Sequence, residues 1–310
     1  MTFARVLTCP GLTSRSTLFG EPMPLNPLEV LSEIGNLQED LPDLRWSRYH
    51  HAVYTGDLVP GCRLCLRRAW QVIHIGAACN LDCVFCPITA ADRDMSLLGQ
   101  SGPPSEPDRR ERGLQSALEA IRAGRLDGVS LSGGEPLLHM DALEQVIATL
   151  LEAKPDLHLW LYTNGTLATE QNLRHLRDLG VSELRVNLAA TRYAARTLGM
   201  LRLARSVFPH LVVEIAPYPP DRALLLGCLG DLHRIGVDQL NLQELVVTPG
   251  NINRVEGRVY ELAGIRLLYG SRLLSYRVIS ECHRQKYGFT CVDCSAGIKR
   301  QFDMGSPLGY

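Results

Sequence analysis

The sequence predicts an α/β fold, and three observations carry that prediction. From residue 70 onward, apolar runs of strand length recur, amphipathic stretches of helical spacing lie between them, and the two kinds alternate to about residue 246. The expected strands are Trp70–Ile75, Gly128–Leu131, Leu157–Thr163, Glu183–Leu188, Leu211–Ala216 and Gln239–Val246. Leu114, Leu118 and Ile121 mark one helix face, Leu143, Val146, Ile147 and Leu150 a second, and Leu224, Cys228, Leu229 and Leu232 a third. Six such alternations imply parallel strands with right-handed crossovers, closed partly or wholly as a barrel. Reactive groups in such folds sit beyond the C-terminal strand ends.

The flanks are less regular. Residues 1–69 read as an N-terminal extension with Pro-rich stretches, one helix over Leu28–Leu37, and a Cys-x-x-Cys pair at Cys62 and Cys65. Residues 70–263 carry the alternation. Within them, residues 91–112, with Gly99, Gly102, Pro103, Pro104 and Pro107, are too polar to pack; they read as a surface connection, or functionally as a lid. From about residue 264 to 310 a strand-rich tail is expected, carrying a second cysteine cluster.

Composition sets the chemical context. The 310 residues are 45% hydrophobic with a formal net charge of −1, which supplies a core but no global electrostatic reason to bind nucleic acid or an anionic membrane. No apolar run approaches the roughly 18 residues of a spanning helix, and the N-terminus lacks a signal-peptide core, so a cytoplasmic location is expected. In a reducing compartment the clustered spacing of the ten cysteines favours metal ligation over disulfides.

The cysteine loop is the strongest chemical signal. Cys79, Cys83 and Cys86, in Ala-Ala-Cys-Asn-Leu-Asp-Cys-Val-Phe-Cys-Pro, directly follow the first strand. Thiolates at this spacing can grip three irons of a [4Fe–4S] cube and leave one iron open for a small-molecule ligand. A zinc knuckle would need a fourth ligand nearby, and Asp82, between two of the cysteines, is a poor one. One strand–helix unit later, Ser132-Gly133-Gly134-Glu135-Pro136 ends the second strand. Its glycines let the backbone approach a ligand closely, and its carboxylate favours a nearby ammonium.

With Phe85 just before the last cysteine, the triplet resembles the signature of the radical S-adenosylmethionine superfamily, and residues 132–136 resemble its Gly-Gly-Glu-Pro element. The resemblance covers roughly residues 70–250 and implies a partial (β/α)6 TIM-like barrel. It also implies a [4Fe–4S] cluster on Cys79, Cys83 and Cys86, with S-adenosylmethionine chelating the open iron. Reductive cleavage then gives a 5′-deoxyadenosyl radical that abstracts hydrogen from a small-molecule or peptide substrate, with a flavodoxin- or ferredoxin-type electron donor. By the same resemblance Phe85 walls off the reactive end, and Gly133, Gly134 and Glu135 receive the methionine amino group. Thr163 and Asn164, in Tyr162-Thr163-Asn164-Gly165-Thr166, lie near the nucleoside, and Asn187 and Arg192 meet the ribose hydroxyls and the methionine carboxylate. The adenine-binding glycine pattern of some members is not recognisable in residues 213–218.

Other polar residues at strand ends are candidates for substrate chemistry. His139, three residues past Pro136, is the candidate acid or base, and Tyr162 and Tyr218 are candidate proton or hydrogen-atom donors. Asn241 and Glu244 interrupt an apolar strand and are expected to face the barrel interior. Cys62, Cys65, Cys291 and Cys294, with Cys282 as an alternative ligand, match a second site for zinc or an auxiliary iron–sulfur cluster. Two further readings compete with an oxidoreductase of unknown substrate. A glycyl-radical-enzyme activase is one; a zinc-ribbon module binding RNA is the other, which leaves residues 133–136 unexplained.

Overall fold

Residues two apart on a strand share a face, and that period organises the protein. The computed structural model describes residues 6–7, 25–47, 52–87, 106–262 and 264–295. Its strands are β1 (Val6–Leu7), β2 (Arg45–Trp46), β3 (Val53–Tyr54), β4 (Trp70–Gly76), β5 (Gly128–Gly133), β6 (His158–Thr163), β7 (Val181–Val186), β8 (His210–Ile215), β9 (Gln239–Gln243), β10 (Val259–Leu262), β11 (Ile265–Leu268) and β12 (Thr290–Cys294). The helices are α1 (Pro27–Glu39), α2 (Pro60–Leu66), α3 (Glu106–Arg122), α4 (Met140–Ala153), α5 (Glu170–Asp178), α6 (Ala195–Val207), α7 (Arg222–Ile235) and α8 (Ser271–Gln285).

Strands β4 to β9 lie side by side in chain order, each parallel to its neighbour, with helices in the crossovers. This is the expected α/β partial-barrel architecture. Aliphatic residues on one strand face, such as Ile73, Leu131, Leu161, Leu184, Val213 and Leu240, join the helices in the main core. A register shift in β4 between His74 and Gly76 marks the point where the chain turns into the cysteine loop.

The segment after residue 264 departs from the expected strand-rich tail. Leu274, Val278 and Cys282 recur every four residues and bury one face of the 15-residue α8. The chain then returns as β12, a seventh parallel strand beside β9, with Cys291 opposite Leu240 and Cys294 opposite Gln243. Strands β3 and β2 continue the sheet antiparallel. Helix α1 starts where Asn26 accepts the Leu28 N–H at 3.0 Å, and Gln38 donates to Tyr276 Oη of α8 at 2.6 Å.

Smaller differences have local causes. On α7 the buried positions are Leu225, Cys228, Leu229, Leu232 and Ile235, a regular helical stripe, so Leu224 falls outside it and is 41% exposed. Strand β7 stops at Val186 because Asn187 turns the chain, its side chain accepting the Ala190 N–H at 3.1 Å. Of the polar connection expected over 91–112, residues 106–112 open α3, where Arg110 donates to Ile75 O at 3.2 Å; residues 91–105 lie outside the described residues.

Candidate active site

The cysteine loop leaves the C-terminal end of β4 and meets the turns after β5, β6 and β7. A turn closes it, the Cys86 N–H donating to Cys83 O at 3.0 Å. Asn164 Nδ2 lies 4.0 Å from Cys79 Sγ, and Cys83 Sγ lies 3.9 Å from Ala190 O. All three cysteines are half-buried. Among the described residues no three metal-binding side chains are already drawn together as ion ligands, these three included. Thiols deprotonate and close around a metal as it loads, and three on one short loop are a donor set suited to an iron–sulfur cluster.

The glycine turn is built against this loop. Gly134 N–H donates to Gly76 O and Glu135 N–H to Ala78 O, both at 2.8 Å. Gly133 has φ +130°, and a Cβ there would collide with Gly76 O; one on Gly134 would collide with the carbonyl oxygens of Ala77 and Ala78. Only glycine lets the two backbones approach this closely, forming a cradle beside Cys79.

Glu135 is engaged by its own neighbours. Its carboxylate is fully enclosed and accepts from Leu137 N at 3.1 Å, Thr163 Oγ1 at 2.8 Å and Asn164 N at 2.7 Å. Burial raises its pKa, and those three hydrogen bonds oppose the rise. It is a strut joining the glycine turn to the end of β6, and Thr163 is spent on the same strut. Asn164 accepts from Thr166 N at 2.9 Å and donates to Asn80 Oδ1 at 2.9 Å, which ties the β6 turn to the cysteine loop.

The other expected ligand contacts are scattered around this centre. Asn187 caps the turn after β7, as above. Arg192 sits in the left-handed region at φ +49°, its side chain 75% exposed and 3.3 Å from Asp221. Phe85 packs on an apolar cluster with Tyr218, Leu245 and Val255. His139 follows the short helical turn Pro136–Leu138; its imidazole lies where a Cβ on Gly76 would be, and its Nε2 is enclosed without a hydrogen-bond partner among the described residues.

The two tyrosines have different partners. Tyr218 accepts the Glu256 N–H at 2.9 Å, whereas Tyr162 projects into the barrel interior, where Arg185 Nη1 donates to it at 3.0 Å. Burial raises both phenols, well above the ordinary value for Tyr162, so each is protonated at neutral pH and suited to donate rather than to act as a base.

Tyr162 belongs to an interior cluster that sequence reasoning missed. Arg185 bridges Glu183 at 2.6 Å and Glu214 at 3.2 Å, and its guanidinium lies 5.2 Å and 5.4 Å from the Trp160 and Tyr162 ring centroids. Asn241 donates to Glu214 at 3.2 Å. Burial opposes ionisation of Glu183, but Arg185, the His158 hydrogen bond and the Gly61 N–H outweigh it and hold its pKa at about 2. The available signal was charge at every second position of buried strands, Glu183 and Arg185 above all. Glu244, expected beside Asn241, lies on the opposite face, accepting from Tyr260 Oη at 2.6 Å.

The second metal site is not assembled. Cys62, on α2, points into the interior cluster, its sulfur 2.9 Å from Gln239 Nε2 and 3.4 Å from Arg185 Nη2. Cys65 lies one helical turn further along α2. Cys291 and Cys294 occupy one strand three residues apart, so they face opposite sides of the sheet. Cys291 meets Cys282 of α8, a contact that with burial raises its thiol pKa, while Cys294 packs near Val292 and Leu58 on the interior side. A Cys-x-x-Cys pair chelates from a turn; a strand separates it.

Residues 73–207 match the Radical SAM superfamily. A Methanocaldococcus jannaschii protein, named as a glycyl-radical enzyme activating enzyme, is 26% identical over 211 residues, covering 65% of this chain and 54% of that protein. The 7-carboxy-7-deazaguanine synthase of Methanothermobacter thermautotrophicus is 31% identical over 117 residues, 37% of this chain and 42% of that one. The chain thus spans about half the length of the curated relatives it matches. Among solved structures, Streptococcus suis SuiB bound to precursor peptide SuiA aligns with TM-score 0.54 at 13% identity, over 91% of this chain and 65% of that one. SuiB bound to S-adenosylmethionine aligns with TM-score 0.52 at 13% identity, over 85% and 60%. At that identity the likeness is one of fold.

Proposed function

Because residues 73–207 of this chain belong to the radical S-adenosylmethionine superfamily, we propose that the protein is an enzyme of that chemistry, acting on a small-molecule or peptide substrate. The observation that carries the reading is the three-cysteine loop seated against the Gly133–Gly134 turn at the C-terminal edge of a parallel sheet. Cys79, Cys83 and Cys86 would hold a [4Fe–4S] cluster, and the backbone at Gly133 and Gly134 would border the methionine part of S-adenosylmethionine. Bound together and given one electron, the two cofactors would supply radical chemistry able to take hydrogen from a substrate C–H bond.

The chain's own residues exclude water and position groups. Phe85 and Val84, packed on the apolar cluster around Tyr218 and Val255, would help to keep water from the last cysteine. Glu135 fixes the glycine turn relative to Asn164. Arg192, with its partner Asp221, is a cation for a methionine carboxylate, and Asn187 would contact the ribose. The Tyr162–Arg185–Glu214–Asn241 cluster forms the polar interior on which a substrate would rest. His139 is the candidate acid or base, and Tyr162 and Tyr218 the candidate hydrogen donors. Residues 70–263 carry this machinery, with 1–69 and 264–310 as additions to it; a flavodoxin- or ferredoxin-type donor in the cytoplasm would supply the electron.

Anaerobic reconstitution tests the reading. The expected product is a brown protein that forms 5′-deoxyadenosine with dithionite, and Cys79→Ala, Cys83→Ala and Cys86→Ala should each abolish it. A colourless protein containing only zinc would refute the proposal. The name of the M. jannaschii relative favours a second reading, activation of a glycyl-radical enzyme. A glycyl-radical doublet in electron paramagnetic resonance on a glycine-containing protein substrate would distinguish it.

A further inference from the structure

The segment Thr248–Val255, between β9 and β10, holds the end of the cysteine loop. Three consecutive carbonyls are each taken by one of its side chains: Asn251 Nδ2 donates to Phe85 O at 3.1 Å, Arg254 Nη2 to Cys86 O at 3.0 Å, and Thr248 Oγ1 to Pro87 O at 2.9 Å. Arg254 Nη1 also pairs with Asp82, which lies between Cys79 and Cys83, at 2.6 Å. The partners are 161 to 172 residues apart in the chain, so tertiary folding alone brings them together.

The segment is itself braced. Asn251 is fully buried, donates to Val246 O at 3.0 Å, and accepts the Thr248 N–H at 2.8 Å. Arg254 also donates to Gly250 O at 3.0 Å. The flanks are tied down by Val247 N–H to Arg266 O at 2.8 Å and Glu256 N–H to Tyr218 Oη at 2.9 Å. Independently of these bonds, Val84 and Phe85 pack on an apolar cluster that includes Val255 and Ile252.

We propose that Thr248–Val255 is a clamp on the cluster loop, with Thr248, Asn251 and Arg254 as positioning residues for Cys86. The clamp fixes the peptide groups on both sides of that ligand, and Arg254 sets a positive charge beside it that Asp82 opposes. It therefore governs how firmly the cluster is retained and, through charge and hydrogen bonding, its reduction potential. This inference rests on the reading of Cys79, Cys83 and Cys86 as cluster ligands.

The test uses reconstituted full-length protein and three readouts: iron loss to a ferrous chelator, the electron paramagnetic resonance spectrum of the reduced cluster, and its midpoint potential. Arg254→Gln removes the positive charge beside Cys86 and is expected to lower the potential and to release iron about tenfold faster. Arg254→Lys should recover part of both effects. Asp82→Asn is expected to raise the potential; a purely structural disturbance would move both charge variants the same way. Thr248→Val removes the hydroxyl that donates to Pro87 O and accepts the Gly250 N–H, and is expected to release iron about threefold faster with the melting temperature little changed. A wild-type protein that takes up no cluster would overturn the ligand assignment and the clamp with it. A wild-type protein that does take one up, with variants matching it in all three readouts, would overturn the clamp alone.

Discussion

Gly134→Ala puts a methyl group where the chain has no room, because its Cβ would collide with the carbonyl oxygens of Ala77 and Ala78. Both are main-chain atoms, so no rotamer change relieves the contact; residues 77–79 must retreat by about 1 Å to restore ordinary packing. That movement breaks the 2.8 Å bond from Glu135 N–H to Ala78 O and strains the 2.8 Å bond from Gly134 N–H to Gly76 O. An enclosed amide left without a partner costs about 1–3 kcal/mol, and a weakened second bond brings the expected loss to about 2–4 kcal/mol. For a chain of this size each kcal/mol lowers Tm by about 2–4 °C, so a fall of about 5–15 °C is expected. Cys79 follows Ala78 directly and moves with it, so iron uptake should fall as well. Circular dichroism melting of the metal-free protein and iron per chain after anaerobic reconstitution measure the two effects. A variant that melts within about 1 °C of the parent and takes up the same iron would show that the close approach of the two backbones is not required.

Other expectations probe separate parts of the molecule. Glu183 is held at about 2 against an ordinary 4.5, so the stability it adds is fully present above about pH 4.5 and lost as pH falls toward about 2, about 3 kcal/mol in all. Glu183→Gln should flatten that acid limb in urea unfolding at stepped pH, and an unchanged limb would contradict the buried pairing with Arg185. Leu225→Ala should cost about 2–5 kcal/mol and the exposed Leu224→Ala less than about 0.5 kcal/mol in the same assay, the order that a stripe through Leu224 would reverse. Cys291→Ser and Cys294→Ser should leave zinc and iron content unchanged by elemental analysis; loss of either metal would restore the second site.

Features whose chemistry is local were legible in the sequence. Cys79, Cys83 and Cys86 share one loop, Gly133 and Gly134 meet their backbone requirement in one turn, and strands β4 to β9 announce themselves through short apolar runs. The α8–β12 unit was obscured because its cysteines suggested a knuckle, although Leu274, Val278 and Cys282 already carried helical spacing. The cysteines expected at a second metal site are not drawn together as ion ligands, because Cys291 and Cys294 lie on a strand whose alternation parts them.

The covalent order of residues was enough to set the three-cysteine loop, the fold class and the end of the sheet at which the cysteines emerge, because each depends on neighbours within a few positions. Tertiary structure decided which polar groups meet. It enclosed Glu135 as a strut, gathered Glu183, Arg185 and Glu214 in the barrel interior, and brought Arg254 to Asp82 and Cys86. Those encounters depend on strand register and on how distant segments pack, and a side chain's partners across such distances are chosen only when the whole sheet is in place.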